Sequence, residues 1–143
     1  MRGLIIGQEP LDRILSGQKV WELRGSRTKI RGPIALIESG SGTVVGRCIL
    51  ADVIGPLSVA ELKWNARRLG QKPGEISRYY DRTFAWVLRD VRRLARPIPY
   101  RHPRGAVIWV KLPPLVEEKC LSSHSRIPRA NMRQATRDGS TLI

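Results

Sequence analysis

The sequence predicts one α+β domain with a small sheet or barrel of about five or six mostly antiparallel strands, flanked by two or three helices. Its 143 residues are the length of one domain, and a composition of 41% hydrophobic and 27% charged residues is typical of a chain that buries a core. Segments rich in β-forming residues are interrupted by helical patterns without a regular strand–helix alternation. This order disfavours a doubly wound parallel sheet.

A helix and a strand are predicted first. Apolar side chains recur at helical spacing after Pro10, which suits the first turn of a helix, so a helix is predicted over residues 10–16. Gly17 supplies the left-handed conformation that commonly ends a helix. Residues 19–24 have the composition of a strand, so the segment predicts a helix–glycine–strand unit.

Two longer β-rich segments follow, at residues 33–38 and 43–54. Gly40 and Gly42 lie between them and provide the positive φ angles that hairpin loops need. The two segments are therefore predicted to pair as antiparallel strands.

A capping box begins the next predicted helix. Ser58 is followed three residues later by Glu61, and the helical pattern continues to residue 69, where Gly70 ends it. A second, short helix is predicted over residues 75–80. Both helices lie between the hairpin and the remaining strands.

The last predicted strands cover residues 83–88 and 105–112, because both segments are short, aromatic or β-branched and bounded by turn residues. Prolines keep residues 97–103 extended between them. After residue 116 the composition changes to polar residues without apolar periodicity. Residues 1–116 are predicted to form the domain and residues 117–143 a basic, disordered tail.

The charge balance points to a polyanionic partner. The chain has 20 Arg and 6 Lys against 12 Asp and Glu, a formal net charge of +14, and residues 1–116 alone carry 21 cations against 9 acids. Because arginine forms forked hydrogen bonds to phosphate and stacks on bases, this excess favours nucleic acid. Three groups of cations are predicted to form one positive surface: Arg24, Arg27, Lys29 and Arg31; Lys63, Arg67 and Arg68; and Arg89, Arg92, Arg93 and Arg96.

Several other classes of protein are disfavoured. No apolar segment reaches the roughly 18 residues of a membrane span, and the first residues lack the apolar region of a signal peptide, so no membrane partner and a cytoplasmic location are expected. Cys48 and Cys120 form no CxxC pair, which disfavours a zinc site or a disulfide framework. No metal or cofactor is predicted.

Residues 17–24 contain the pattern G-x-K-x-x-E-x-R at all four of its defined positions. The pattern resembles the signature of the ASCH domain, a branch of the PUA-like fold, and residues 43–50, 84–88 and 97–110 resemble later strands of that family. The resemblance implies a small PUA-like β-barrel with a cleft beside the signature strand that receives RNA or a modified nucleobase. Fold alone does not determine the activity.

Lys19, Glu22 and Arg24 are the candidate site residues of this signature. Side chains alternate along a strand, so Lys19 and Glu22 can meet only if Lys19 lies in the turn before the strand begins. Glu22 could then accept a hydrogen bond from the exocyclic amine of a base, while Lys19 and Arg24 hold a phosphate or a carbonyl. The alternative is a Glu22–Arg24 salt bridge on an exposed strand face.

Further candidates for RNA binding lie outside these three positions. Trp21 and Trp64 are both candidate stacking platforms for a base. For Trp21 the alternative is a place in the core, which the apolar Leu23 on its strand face favours. The proline-stiffened segment after Tyr100 is either a phosphate clamp or a solvated turn. The cationic candidates are Arg67 and Arg68 on the predicted helix and Arg101, His102 and Arg104 in that segment.

Three functions are consistent with these residues. The first is RNA binding at the signature cleft. The second is a hydrolase using Lys19 and Glu22, either a ribonuclease or an amidohydrolase on an N4-acylated cytidine-type nucleoside. Some bacterial ASCH proteins catalyse the latter reaction with the signature lysine and a threonine three residues after it, the position that Glu22 occupies here; a carboxylate cannot replace a hydroxyl nucleophile without changing the chemistry. The third is a protein-interaction module for an acidic partner.

Overall fold

The computed structural model describes residues 1–123 and the backbone of residues 125 and 126. Over these residues, seven strands form one sheet: β1 (Arg2–Ile6), β2 (Trp21–Arg24), β3 (Gly32–Glu38), β4 (Thr43–Leu57), β5 (Thr83–Pro99), β6 (Trp109–Lys111) and β7 (Ser125–Arg126). Within the described part, the α-helices are α1 (Gln8–Leu15), α2 (Val59–Trp64) and α3 (Pro114–Ser122). Short 3₁₀ turns cover Ala66–Leu69 and Pro73–Glu75.

The strands pair in the order β2–β5–β4–β3–β1–β6, and β7 adds to β5. Among these seven described strands, every pair is antiparallel except β1 with β3. Several register shifts between β4 and β5 bend this long pair, as β-bulges do. The stacked rings of Trp86 on β5 and Trp109 on β6, with centroids 5.7 Å apart, bring distant strands of the sheet over a common interior.

The predicted α+β class and mostly antiparallel sheet are confirmed, whereas the barrel is incomplete. The outer strands β2 and β6 do not pair with each other in the described residues. The bent sheet encloses the main core, which includes Leu4, Ile34, Leu50, Trp86 and Leu88. No helix among the described residues has the length and apolarity to cross a bilayer.

Strand β2 has two different faces, and this determines where the candidate site forms. Trp21 and Leu23 pack with Leu62 on α2 and Leu69 in the following 3₁₀ turn. Glu22 is the register partner of Trp86 in the main core, so it faces the interior of the bent sheet. The charged residue of the signature therefore lies on the inner face.

Some strands differ from the predictions made from sequence. Strand β1 was not predicted, because it is a short apolar segment whose partner β3 is distant in sequence. Strand β5 continues past residue 88 to Pro99, with Val91, Leu94 and Ile98 buried between exposed cations. The strand predicted over 105–112 covers only Trp109–Lys111.

The helical predictions also need correction. The helix predicted to residue 69 ends at Trp64 and continues as a 3₁₀ turn. The helix predicted over 75–80 is wrong, since Ile76 is the only buried residue in that segment and offers no apolar helical face. Residues 117–122 of the predicted tail form part of α3, because Val116 and Cys120 pack into the core. Residues 124 and 127–143 lie outside the described residues, so the rest of the tail and the domain boundary at 116 stay predictions.

Candidate functional site

A tight turn between α1 and β2 places Lys19 at the site. Gly17 adopts a φ of 84°, the left-handed conformation predicted for it. The backbone N–H groups of Gln18 and Lys19 both donate to the Arg13 carbonyl at 2.9 and 3.1 Å. Strand β2 starts only at Trp21, so Lys19 lies in the turn before it. This is the condition under which Lys19 and Glu22 can meet.

Glu22 lies between two cations. Its Oε1 is 3.8 Å from the Lys19 ammonium, and its Oε2 accepts a hydrogen bond of 3.0 Å from the Arg24 guanidinium. Lys19 and Glu22 are each only 6% exposed. The ion pair with Arg24 exists, but on a buried face rather than on the exposed face of the alternative interpretation. Removing one member of such a buried group leaves an uncompensated charge.

Arg24 fixes this group to the rest of the sheet. The same guanidinium nitrogen donates to the Ile5 carbonyl at 2.8 Å, and the guanidinium carbon lies 5.5 Å from the centre of the Trp86 ring. Trp86 in turn donates through its indole N–H to the Ser26 carbonyl at 3.0 Å. Arg24 is therefore engaged by the protein itself, and its main role in the geometry is to hold Glu22.

Burial lowers the pKa of the Lys19 ammonium below its ordinary value of 10.5. The nearby Glu22 carboxylate opposes this shift, while the positive charges of Arg13 and Arg24 add to it. The desolvation effect is the largest of these causes. Lys19 consequently releases its proton more readily than a surface lysine.

Lys19 lines a cleft of about 250 Å³ between α1, β2 and the segment before β5. Arg13 and Lys19 make part of its wall cationic, and Tyr79 and Tyr80 form an aromatic part. The cleft is smaller than the roughly 300–1,000 Å³ of sites for drug-sized ligands, so it suits a single base, sugar or phosphate group. Its remaining lining residues are Glu9, whose carboxylate pairs with the Arg13 guanidinium at 2.6 Å, and Pro10, Leu23 and Gln71.

Tyr79 and Tyr80 directly precede Asp81 in the chain and line the cleft. Both are about two-fifths exposed. The Tyr79 hydroxyl donates to the Gln71 side chain at 3.3 Å, and the Tyr80 hydroxyl donates to the Leu23 carbonyl at 3.5 Å. These contacts hold aromatic rings at the edge of the cleft.

Trp21, Arg67 and Arg68 have different surroundings in the structure. Trp21 is buried in the core, so its ring offers no surface on which a base could stack. The Arg68 guanidinium lies 5.3 Å from the centre of that ring and donates to Asn65, so it serves the packing of this region. Arg67 is exposed.

Arg101, His102 and Arg104 are exposed in the loop after β5. The His102 ring bridges the Tyr100 hydroxyl at 2.8 Å and the Ala106 carbonyl at 2.9 Å, which fixes the loop. Among residues 1–123, no hydrogen bond or ion pair joins the three side chains to the Lys19–Glu22–Arg24 group. The structure thus presents them as a separate basic loop.

Arg13 and Gln71 are site residues that the sequence did not reveal. Arg13 is on the polar side of α1, and Gln71 follows the 3₁₀ turn; neither belongs to a motif. No group of three or more His, Cys, Asp or Glu side chains in the described chain is placed to hold a metal ion.

Comparison with known proteins agrees with the fold. The sequence matches the ASCH domain family over residues 4–98. A crystal structure of ASCH from Zymomonas mobilis superposes with a TM-score of 0.62 at 18% identity, covering 86% of this chain and 95% of that chain. A tyrosine-to-phenylalanine mutant of ZmASCH from Zymomonas mobilis gives a TM-score of 0.60 at 18% identity, covering 86% of this chain and 98% of that chain. A serine-to-alanine mutant of ZmASCH gives a TM-score of 0.58 at 19% identity, covering 86% of this chain and 96% of that chain. No curated protein sequence is similar enough to count as a match.

Proposed function

The chain belongs to the ASCH domain family, and on this basis we propose that it binds RNA, with one nucleotide or modified base in the cleft beside Lys19 and neighbouring phosphates on its arginine-rich surface. The observation that carries the proposal is a buried lysine that reaches a small cleft with cationic and aromatic walls. Cations bind phosphate or carbonyl oxygens, and aromatic rings pack against bases.

The geometry supports different roles for the three signature residues. Lys19 lines the cleft and donates to the ligand, and Arg13, which is paired with Glu9, adds positive charge beside it. Glu22 is engaged by cations on both of its oxygens, so we assign it a positioning role rather than the recognition of an exocyclic amine. Arg24 holds Glu22 in place.

The surface charge supplies the less specific part of the binding. Arg27, Lys29 and Arg31 line one further surface depression, and the guanidinium of Arg27 lies 4.9 Å from the centre of the Phe84 ring. Surface cations such as these bind phosphates, and their contribution to affinity weakens as salt rises. They add affinity for any RNA but do not distinguish one base from another.

A matched pair of lysine variants tests the proposal. Lys19→Met removes the ammonium of the lysine that lines the cleft, and Lys111→Met removes the same charge from an exposed position on β6. Binding of a structured RNA is measured at low and near-physiological salt, with circular dichroism to verify that both variants fold. We expect Lys19→Met to bind more weakly at both salt concentrations and Lys111→Met to differ little from the wild type at the higher one. Equal effects of the two substitutions would contradict binding in the cleft.

A hydrolase is the second candidate, favoured by the lowered pKa of Lys19 beside a carboxylate. A lysine that loses its proton readily can act as a general base toward a bound nucleoside or RNA. The test is turnover of N4-acetylcytidine and of RNA by the wild type and by Lys19→Met. Product from the wild type alone would support this activity, and no product from either substrate would remove it.

A further inference from the structure

Trp64 stands apart from the other tryptophans. It is the last residue of α2 and is 89% exposed, whereas Trp21 and Trp86 are buried. Helix α2 attaches to the core through Leu62, so packing of the helix does not require the indole. Tryptophan is among the side chains that most often carry the binding energy of an interface, so the surroundings of this ring decide whether it has such a role.

The ring lies on a shallow, open groove of about 720 Å³ along α2 and the following 3₁₀ turns. Lys63, Arg67 and Lys72 supply three positive charges to the groove, against the single carboxylate of Glu75. An exposed ring among cations is the combination that binds single-stranded nucleic acid, with bases stacked on the ring and phosphates next to the cations.

The groove lies beside the cleft at Lys19, and the two share one lining residue. Gln71 lines both, and Gln18, directly before Lys19 in the chain, lines the groove. The two depressions are therefore neighbours on the surface, so adjacent nucleotides of one strand can occupy them.

We propose that this groove binds the single-stranded RNA segment adjacent to the nucleotide in the cleft, with one base stacked on the Trp64 indole and phosphates held by Lys63, Arg67 and Lys72. The inference rests on the proposed function and extends it from one nucleotide to a short strand. Stacking is tolerant of base identity, because every base has a π face, so the groove adds affinity and direction rather than sequence preference.

The test uses a uridine octanucleotide, an abasic octamer with the same phosphates, and an octaglutamate peptide. Affinities are measured for the wild type, Trp64→Ala and Trp64→Phe. We expect Trp64→Ala to bind the uridine octamer roughly 5- to 150-fold more weakly, the range for loss of one stacked base. Trp64→Phe retains most of the affinity, and the abasic octamer binds all three proteins equally. Because Trp64 is exposed, the unfolding midpoint of the alanine variant should equal that of the wild type.

Unchanged binding of the uridine octamer by Trp64→Ala would overturn the inference. It would also be overturned if Trp64→Ala weakened octaglutamate as much as RNA, since the groove would then serve an acidic protein segment. Binding of uridine monophosphate and of the octamer by Lys19→Met distinguishes a failure of the groove from a failure of the cleft. If Lys19→Met weakens binding of both the monophosphate and the octamer, and Trp64→Ala weakens neither, only the proposal for the groove is contradicted. A Trp64→Ala effect on the octamer, without a Lys19→Met effect on either ligand, removes the cleft and leaves the groove.

Discussion

Replacing Glu22 by glutamine should destabilise the protein far more than the same change at Glu9. Glu22 is buried between Lys19 and Arg24, and glutamine removes its charge with almost no change in shape. At an effective dielectric constant of about 20, Coulomb's law gives roughly 4 kcal/mol for the 3.8 Å pair and 5.5 kcal/mol for the 3.0 Å pair, before desolvation is subtracted. Losing one partner of a buried ion pair costs about 3–5 kcal/mol in the free energy of unfolding. We expect a loss near 3 kcal/mol, because the amide oxygen still accepts from Arg24.

Glu9 provides the matched control. It forms an ion pair of 2.6 Å with Arg13, shorter than either pair of Glu22, but its side chain is 78% exposed. Exposed pairs of this kind contribute about 0.3–0.5 kcal/mol. Urea unfolding of Glu22→Gln, Glu9→Gln and the wild type measures both values. A loss for Glu22→Gln no larger than that for Glu9→Gln would refute the argument that burial makes the signature group structurally important.

Three other predictions follow from the structure. The pKa of Lys19 is lowered on folding, so just below pH 10.5 the unfolded chain binds more protons than the folded protein. As pH rises through that window, the wild type should therefore gain stability relative to Lys19→Met, which urea unfolding measures. A stability difference that stays constant with pH would contradict the pKa shift. Gly46→Ala should cost about 1–3 kcal/mol in unfolding free energy, because its Cβ would lie 2.7 Å from a leucine of α1 and 2.9 Å from a carbonyl of β5. Gly74→Ala is the control, since its Cβ would meet nothing within 4 Å. Equal unfolding midpoints of the two variants would contradict this packing. Burial raises the pKa of the Cys48 and Cys120 thiols, so both should react with a thiol reagent only after unfolding, and rapid labelling of the native protein would show that they are accessible.

The sequence predicted the helix–glycine–strand unit well because its determinants are local. The apolar spacing of α1, the left-handed Gly17 and the composition of β2 act within a few residues of one another. The meeting of Lys19 with Glu22 depended on where the strand begins, and strand boundaries are set by pairing rather than by composition. Strand β2 begins at Trp21, which pairs with Val87 far along the chain.

The parts that sequence did not predict depend on long-range contacts. Strand β1 is recognisable only beside β3, its parallel partner. The cleft needs Tyr80 next to Leu23, a contact across 57 residues, and no local pattern indicates it. Trp21 shows a related limit: its neighbours in sequence include the signature cations, but its neighbours in space are core residues.

The burial of the signature charges explains why the motif includes an acid as well as two cations. Two cations close together in a nearly dry site would repel each other, and Glu22 lies between them. The carboxylate also limits how far the pKa of Lys19 falls. The motif can thus keep a buried ammonium on a residue that lines the cleft.

The most direct measurement of the central claim is RNA binding by Glu22→Gln at low and at near-physiological salt, under conditions where circular dichroism verifies the fold. The substitution makes the protein one charge more positive, so binding by charge alone should tighten. If Glu22 positions Lys19 in the cleft, binding should weaken and the difference should persist at the higher salt. Equal or tighter binding that disappears with salt would contradict the account and leave only a nonspecific basic surface.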